Sequence, residues 1–169
     1  MAGFSITSVG ATLLIAKIEE AGADVRKAAA EAIEAGCGKV RAEAQKYAPR
    51  SPTQAQLNRL RKTTRKVHRE PNSHSRPKPG GLERSIDYSA DYLEMTGEIF
   101  VAANSEAGSY AAKMHDERGK TWRNLGPGSI AKNKGGKVGD KFIERAIDDN
   151  SKTFEKYVND RIDKALAKI

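Results

Sequence analysis

The sequence predicts an α+β fold: a long N-terminal helix and C-terminal helices packed on a small antiparallel sheet, with an inserted basic arm. Three observations lead there. Apolar residues recur every three to four positions over residues 8–47 and again over 141–169, the spacing of amphipathic helices. Between these stretches, from Gly81 to Ala103, the period drops to two, as half-buried strands require. The length of 169 residues suits one domain, read as 1–169 with the arm at 50–80.

In the first helix, Val9, Leu13, Ile18, Val25, Ala29, Ile33, Val40 and Tyr47 form the apolar stripe, and Lys17, Glu20, Asp24, Lys27, Glu31, Glu34, Lys39 and Glu43 oppose it. Its many alanines favour helix directly. Gly22 and Gly36-Cys37-Gly38 are weak points, with a break or bend expected near Gly36, and Ala48-Pro49 ends the element because the residue before proline leaves the helical region. Forty helical residues would span ~60 Å at ~1.5 Å each. A domain this size cannot cover that length, so the Val25 to Val40 face is expected to stay uncovered in the monomer and to pack on another subunit.

The arm differs in kind. Of the chain's 30 Lys and Arg and 22 acidic residues, nine cations and one acid, Glu70, fall between Arg50 and Lys78. The remainder holds 21 of each sign and is neutral, so the whole excess of +8 sits in 29 residues. Prolines bracket the segment, and Leu57, Leu60 and Val67 are its few apolar residues. A short helix is compatible with them, but it would bury little. The arm reads as an exposed loop ordered by a partner.

Leu82, Arg84, Ile86 and Tyr88, then Glu98 to Val101, alternate as a hairpin, with Tyr92, Leu93 and Met95 in or beside the connection and Thr96-Gly97 as a turn signal. Residues 110–117 suit a helical turn or a third strand. A polar loop with Gly126-Pro127-Gly128-Ser129 follows. Two terminal helices are expected over 141–149 and 151–169, with Ser151 capping the second. Phe142, Ile143 and Ile147 are expected to bury against the sheet, and Arg145 to point away toward an acid or a neighbouring subunit.

Chemistry is sparse. His68, His74 and His115 have no second ligand at metal spacing, and the single Cys37 reads as a half-buried helix residue without a base. Gly119-Lys120-Thr121 lacks the glycine that a phosphate-binding loop needs, since Met114 holds that position. His115-Asp116-Glu117 reads as a polar turn, because adjacent residues point apart. The expectation is no enzyme, no metal and no cofactor. No run approaches the ~20 apolar residues of a membrane span, and no secretory leader is recognisable. The arm is the one strong signal: its cations suit phosphate or an acidic protein surface. It has no aromatic residue for base stacking. Trp122, between basic neighbours, is either a partner anchor or a loop residue folded on its own core.

Several strings recur in a family-like order: Ala48-Pro49; Gly81-Leu82-Glu83-Arg84-Ser85-Ile86; Tyr110-Ala111 leading to His115; Gly126-Pro127-Gly128-Ser129; and Phe142-Ile143-Glu144-Arg145-Ala146. Over residues 8–147 this order resembles the neck or tail-completion (head–tail joining, minor tail component) proteins of tailed bacteriophages. In that family the link from Ala-Pro to Gly-Leu is often short, whereas here residues 50–80 form an insertion. The resemblance implies a structural virion protein in a homo-oligomeric ring of six- or twelve-fold symmetry at the neck. It would join the capsid portal or connector to the tail, and be assembled in the bacterial cytoplasm. Its expected partners are copies of itself, portal and tail proteins, and DNA backbone in the channel, with no membrane. Gly81, Leu82, Tyr110, His115, Gly126, Pro127, Phe142 and Arg145 are the motif positions. Arg59, Arg61, Lys62, Arg65, Lys66 and Arg69 are the expected partner or DNA contacts. The alternative reading is a small cytoplasmic nucleic-acid-binding protein that uses the arm without a ring.

Overall fold

The computed structural model describes residues 5–7, 22–53, 55–56, 58–59, 78–91, 93–94, 96–105, 107–108, 110–116, 127–133 and 136–168. The fold is α+β. A central helix, α1 (Ala23–Tyr47), is held between a three-stranded antiparallel sheet and a second long helix, α5 (Phe142–Leu166).

Two neighbouring stripes on α1 explain this sandwich. Ile33, Cys37, Arg41 and Gln45, four residues apart, face the sheet: Ile33 and Cys37 crowd Gly97, while Arg41 and Gln45 donate to the Ile86 carbonyl. Gly36, Lys39 and Tyr47 meet α5 through Phe154, Tyr157 and Asp149. From Gly36 against Phe154 to Tyr47 against Asp149, the contacts advance along α1 while they retreat along α5, so the pair is antiparallel. Alanines 29, 30, 32 and 44 are buried among them, letting both neighbours approach closely. Every α1 side chain that is apolar and larger than alanine (Val25, Ile33, Cys37, Val40, Tyr47) is buried within the single chain. The expected uncovered Val25 to Val40 stripe therefore does not exist: sheet and α5 cover it from two sides. Residues 8–21 of the expected helix lie outside the described residues.

The end of α1 is as expected. Ala48 turns extended before Pro49, its N–H still bonded to Ala44 O. The helix passes unbroken through Gly36-Cys37-Gly38, correcting the expected break, because Gly36 serves contact rather than bending. A Cβ there would lie 1.9 Å from the Phe154 ring.

The sheet has the order β1-β3-β2, from β1 (Ser5–Thr7), β2 (Ile86–Asp91) and β3 (Thr96–Val101). Register runs from Ile86↔Val101 to Asp91↔Thr96, so the hairpin exists, but Thr96 and Gly97 belong to its second strand rather than its turn. The third strand is residues 5–7, paired with β3. The expected start of the first strand is also corrected: Gly81–Ser85 is a helical turn, α2. Leu82 and Ile86 are four residues apart, a spacing that suits a helix as well as a strand, and with Ser85 they form one buried face. Gly80 enters this turn at φ 77°, a left-handed conformation that glycine adopts freely.

Residues Ala111–Asp116 resolve the open choice as a helix, α3, and Pro127–Lys132 form α4 where a loop is expected. Proline suits a first helical position, since its missing N–H has no partner there anyway. The C-terminal stretch is one helix, not two. Ser151 lies inside α5 and returns its hydroxyl to Asp148 O at 3.0 Å instead of capping. The stripe of Ile143, Ala146, Phe154, Val158 and Ile162 continues across Ser151 and packs on α1. That burial outweighs a cap preference. Phe142 and Ile143 are fully buried, but the surface along which α5 lies is α1 rather than the sheet. Ile147 is partly buried.

Candidate partner-binding cleft at the base of the basic insertion

The insertion leaves and rejoins the domain at one place. Pro49, Arg50, Ser51 and Pro52 follow α1, Lys78 to Leu82 lead into α2, and both stretches line a cleft of about 220 Å³. Tyr110, Met114 and Ser129 complete the walls. The floor is apolar, from Pro49, Pro52, Leu82 and Met114, and the rim carries Arg50 and Lys78.

Helix α4 holds the exit segment in position. Ser129 Oγ accepts the Arg50 N–H at 3.0 Å and donates to the Arg50 carbonyl at 3.3 Å. Gly128 lets the chain lie this close, since a Cβ would sit 2.5 Å from Arg50 O and 2.7 Å from Ser51 O. Lys132 Nζ donates to Gln45 O and, at 2.8 Å, to Ala48 O, satisfying carbonyls left open at the C-terminus of α1. It also pairs with Glu83 at 2.8 Å, and Arg50 Nε lies 3.9 Å from the same carboxylate. Burial pulls the Lys132 ammonium below its ordinary pKa, and the Glu83 hydrogen bond opposes that. This cluster ties α1, α2 and α4 together beneath the cleft.

Beyond Arg50 the arm starts as a helix. Thr53 Oγ1 accepts the Gln56 N–H at 3.3 Å while Gln56 Oε1 accepts the Thr53 N–H at 2.9 Å, a reciprocal capping box. Ala55, Gln56, Asn58 and Arg59 are helical, and Gln56 Nε2 also donates to Pro127 O at 3.4 Å. The arm's direction at its root is thus set by α4.

The expected site residues divide accordingly. Arg59 is exposed on this helical start; Arg61, Lys62, Arg65, Lys66, Arg69 and Gly126 lie outside the described residues. Gly81 and Leu82 of α2 and Tyr110 in the turn before α3 converge on the cleft, and Pro127 opens the helix that buttresses it. His115 and Phe142 meet behind it, edge to face at 5.1 Å, both fully buried. The His115 carbonyl accepts the N–H of Lys141 at 2.9 Å, holding that residue in a left-handed conformation (φ 47°) just before α5. Arg145 corrects its expectation. It folds back, Nη2 donating to Asp140 O and Nε buried, and so locks the turn into α5. Sequence reasoning missed Glu83, Ser129 and Lys132, and Arg50 and Lys78 as a rim. The signal in reach was the Thr53-x-x-Gln56 cap.

Elsewhere the chemistry is structural. Burial, then the Glu34 charge, push the Cys37 thiol above its usual pKa, the reverse of thiolate activation. Tyr47, Lys137 and Asp149 form a surface tie between α1 and α5: the Tyr47 hydroxyl donates to Asp149 at 2.8 Å and Lys137 Nζ at 2.6 Å. Among the described residues no group of three His, Cys, Asp or Glu is placed to hold a metal ion, and no helix is long and apolar enough to cross a membrane. No family model, curated protein or solved structure matches the chain.

Proposed function

We propose that the chain is a structural protein of the phage neck, forming a ring that joins portal to tail and acting without catalysis. One observation carries the reading. Motif positions about thirty residues apart in sequence, Gly81, Leu82 and Tyr110, line the same cleft from whose rim the basic segment departs at Arg50 and returns at Lys78. A partner seated in that cleft meets both described ends of the segment whose sequence carries the protein's excess positive charge. The cations of the arm then meet DNA backbone in the channel or an acidic face of an adjacent ring. The ring itself does not rest on the α1 stripe, which is covered.

The test replaces Arg59, Arg61, Lys62, Arg65, Lys66 and Arg69 together by Gln. The melting temperature is expected to change little, because the segment has few apolar residues with which to bury surface. Tailed, DNA-filled particles are expected to fall sharply, and purified wild type is expected to show rings by electron microscopy. Normal particles from the variant would refute the assigned role of the arm. Salt-dependent DNA binding by a wild-type monomer that never forms rings would favour the nucleic-acid-binding alternative, which the concentration of charge in one segment also supports.

A further inference from the structure

The hairpin tip and the cleft are complementary in polarity and charge. The tip between β2 and β3 presents Leu93, 95% exposed, between the carboxylates of Asp91 and Glu94. An isolated exposed leucine means little; this one is held out. Asp91 Oδ1 accepts the N–H of Leu93 at 2.8 Å and of Glu94 at 3.0 Å, a turn that fixes how the leucine is offered. The same two bonds keep the Asp91 carboxylate charged by lowering its pKa. The cleft offers the opposite: an apolar floor at Leu82 and Met114, the Tyr110 ring in its wall, and the cations Arg50 and Lys78 at its rim. Its volume of about 220 Å³ exceeds the ~150 Å³ that admits a benzene-sized group.

Leu93 cannot reach the cleft of its own chain. Strand β2 starts directly after α2, whose Leu82 lines the cleft, and runs six residues away from it, roughly 20 Å at ~3.3 Å each. Its start lies by Arg41 and Gln45, near the C-terminal end of α1, whereas Gly97 near the tip lies by Ile33 and Cys37. Plug and socket therefore occupy opposite ends of the sheet.

We infer that Leu93 of one copy docks in the cleft of a second copy, with Asp91 and Glu94 facing Arg50 and Lys78. This inference rests on the reading that the chain assembles with itself, and it supplies the contact that the covered α1 face does not. The contact is heterologous, so its repetition closes a ring or extends a filament. Cation-facing carboxylates make it weaken with salt.

The experiment places the photo-cross-linker p-benzoylphenylalanine at position 93 of the full chain. Light- and heavy-isotope copies are mixed at high protein concentration and the cross-linked peptides mapped. Mixed-isotope cross-links from position 93 to the peptides holding Leu82 or Met114 are expected. Leu93→Ser should weaken self-association ~tenfold or more, the size of a hot-spot truncation, without lowering the melting temperature. Asp91→Lys with Glu94→Lys should weaken it too, and added Lys78→Glu should restore part of the loss. Rings that persist in Leu93→Ser, with cross-links mapping elsewhere, would overturn this contact and leave the ring reading standing. A wild type that stays monomeric at its solubility limit and forms no ring in particles would overturn both. Cross-links only to another virion protein would also overturn the self-docking.

Discussion

Gly36 and Gly38 lie two residues apart in α1, yet replacing each by alanine should shift stability in opposite directions. In a helix interior glycine costs about 1 kcal/mol relative to alanine, so both substitutions start from the same gain. At Gly38 the new Cβ meets only the Tyr88 hydroxyl, at 4.0 Å, an ordinary contact, and Gly38→Ala should stabilise by about 1 kcal/mol. At Gly36 the Cβ would stand 1.9 and 2.1 Å from two carbons of the Phe154 ring, against an optimum of roughly 3.5–4.0 Å. Either α5 retreats, at the ~1–3 kcal/mol of overpacking, or the half-buried ring swings outward and forfeits part of the ~1.5–3 kcal/mol of its burial. Net of the propensity gain, Gly36→Ala should be destabilised by ~0–2 kcal/mol. The two variants should then differ by about 1–3 kcal/mol, or roughly 2–12 °C in melting temperature for a chain of this size. Thermal unfolding followed by circular dichroism reads this directly. In a Phe154→Ala background the Gly36→Ala change should become stabilising, a coupling that only direct contact produces. Equal shifts for the two glycine variants would refute the close α1–α5 contact.

Phe142→Ala, at a fully buried ring that leans edge-on against His115, should cost ~3–5 kcal/mol; urea unfolding with an unchanged midpoint would show the core wrongly assigned. Asp149 is held below the ordinary carboxylate range by hydrogen bonds from Lys137 and then from Tyr47. Because its folded pKa lies below its unfolded value of ~3.9, its stabilising contribution is present above that pH and is lost as pH falls through the folded value. Carboxyl NMR titration of wild type and Lys137→Gln should show the Asp149 pKa rise in the variant, and no change would dismiss the tie.

How much of this was legible depends on whether a signal is local. The Ala48-Pro49 stop needs only the steric clash before proline, and it falls where the periodicity places it. The hairpin needs little more than alternation, which Ile86 to Asp91 shows in sequence and Ile99, Phe100 and Val101 show in burial. Gly81 to Ser85 misled because Leu82, Arg84 and Ile86 satisfy period two while Leu82 and Ile86 also satisfy a helical step; burial of Ser85 beside them decides for the turn. Ser151 misled because a capping side chain is a weak preference against a continuous buried stripe on α1. The site divides the same way. Gly81, Leu82 and Tyr110 are recognisable as short strings, whereas Glu83, Ser129 and Lys132 matter through contacts up to 87 residues away in the chain.

By itself the sequence determined the α+β class, the amphipathic helical character of the stretches either side of the sheet, the segregation of the entire charge excess into residues 50–78, and the buried identity of Phe142 and Ile143. Each follows from periodicity or composition, which a chain carries before it folds. The tertiary structure decided that α1 lies between two neighbours and has no stripe to spare. It made Gly36, Gly97 and Gly128 points of contact rather than of flexibility, and it brought both ends of the basic segment to one cleft. Those outcomes depend on which surfaces meet, and close packing selects among surfaces that no single stretch of sequence contains.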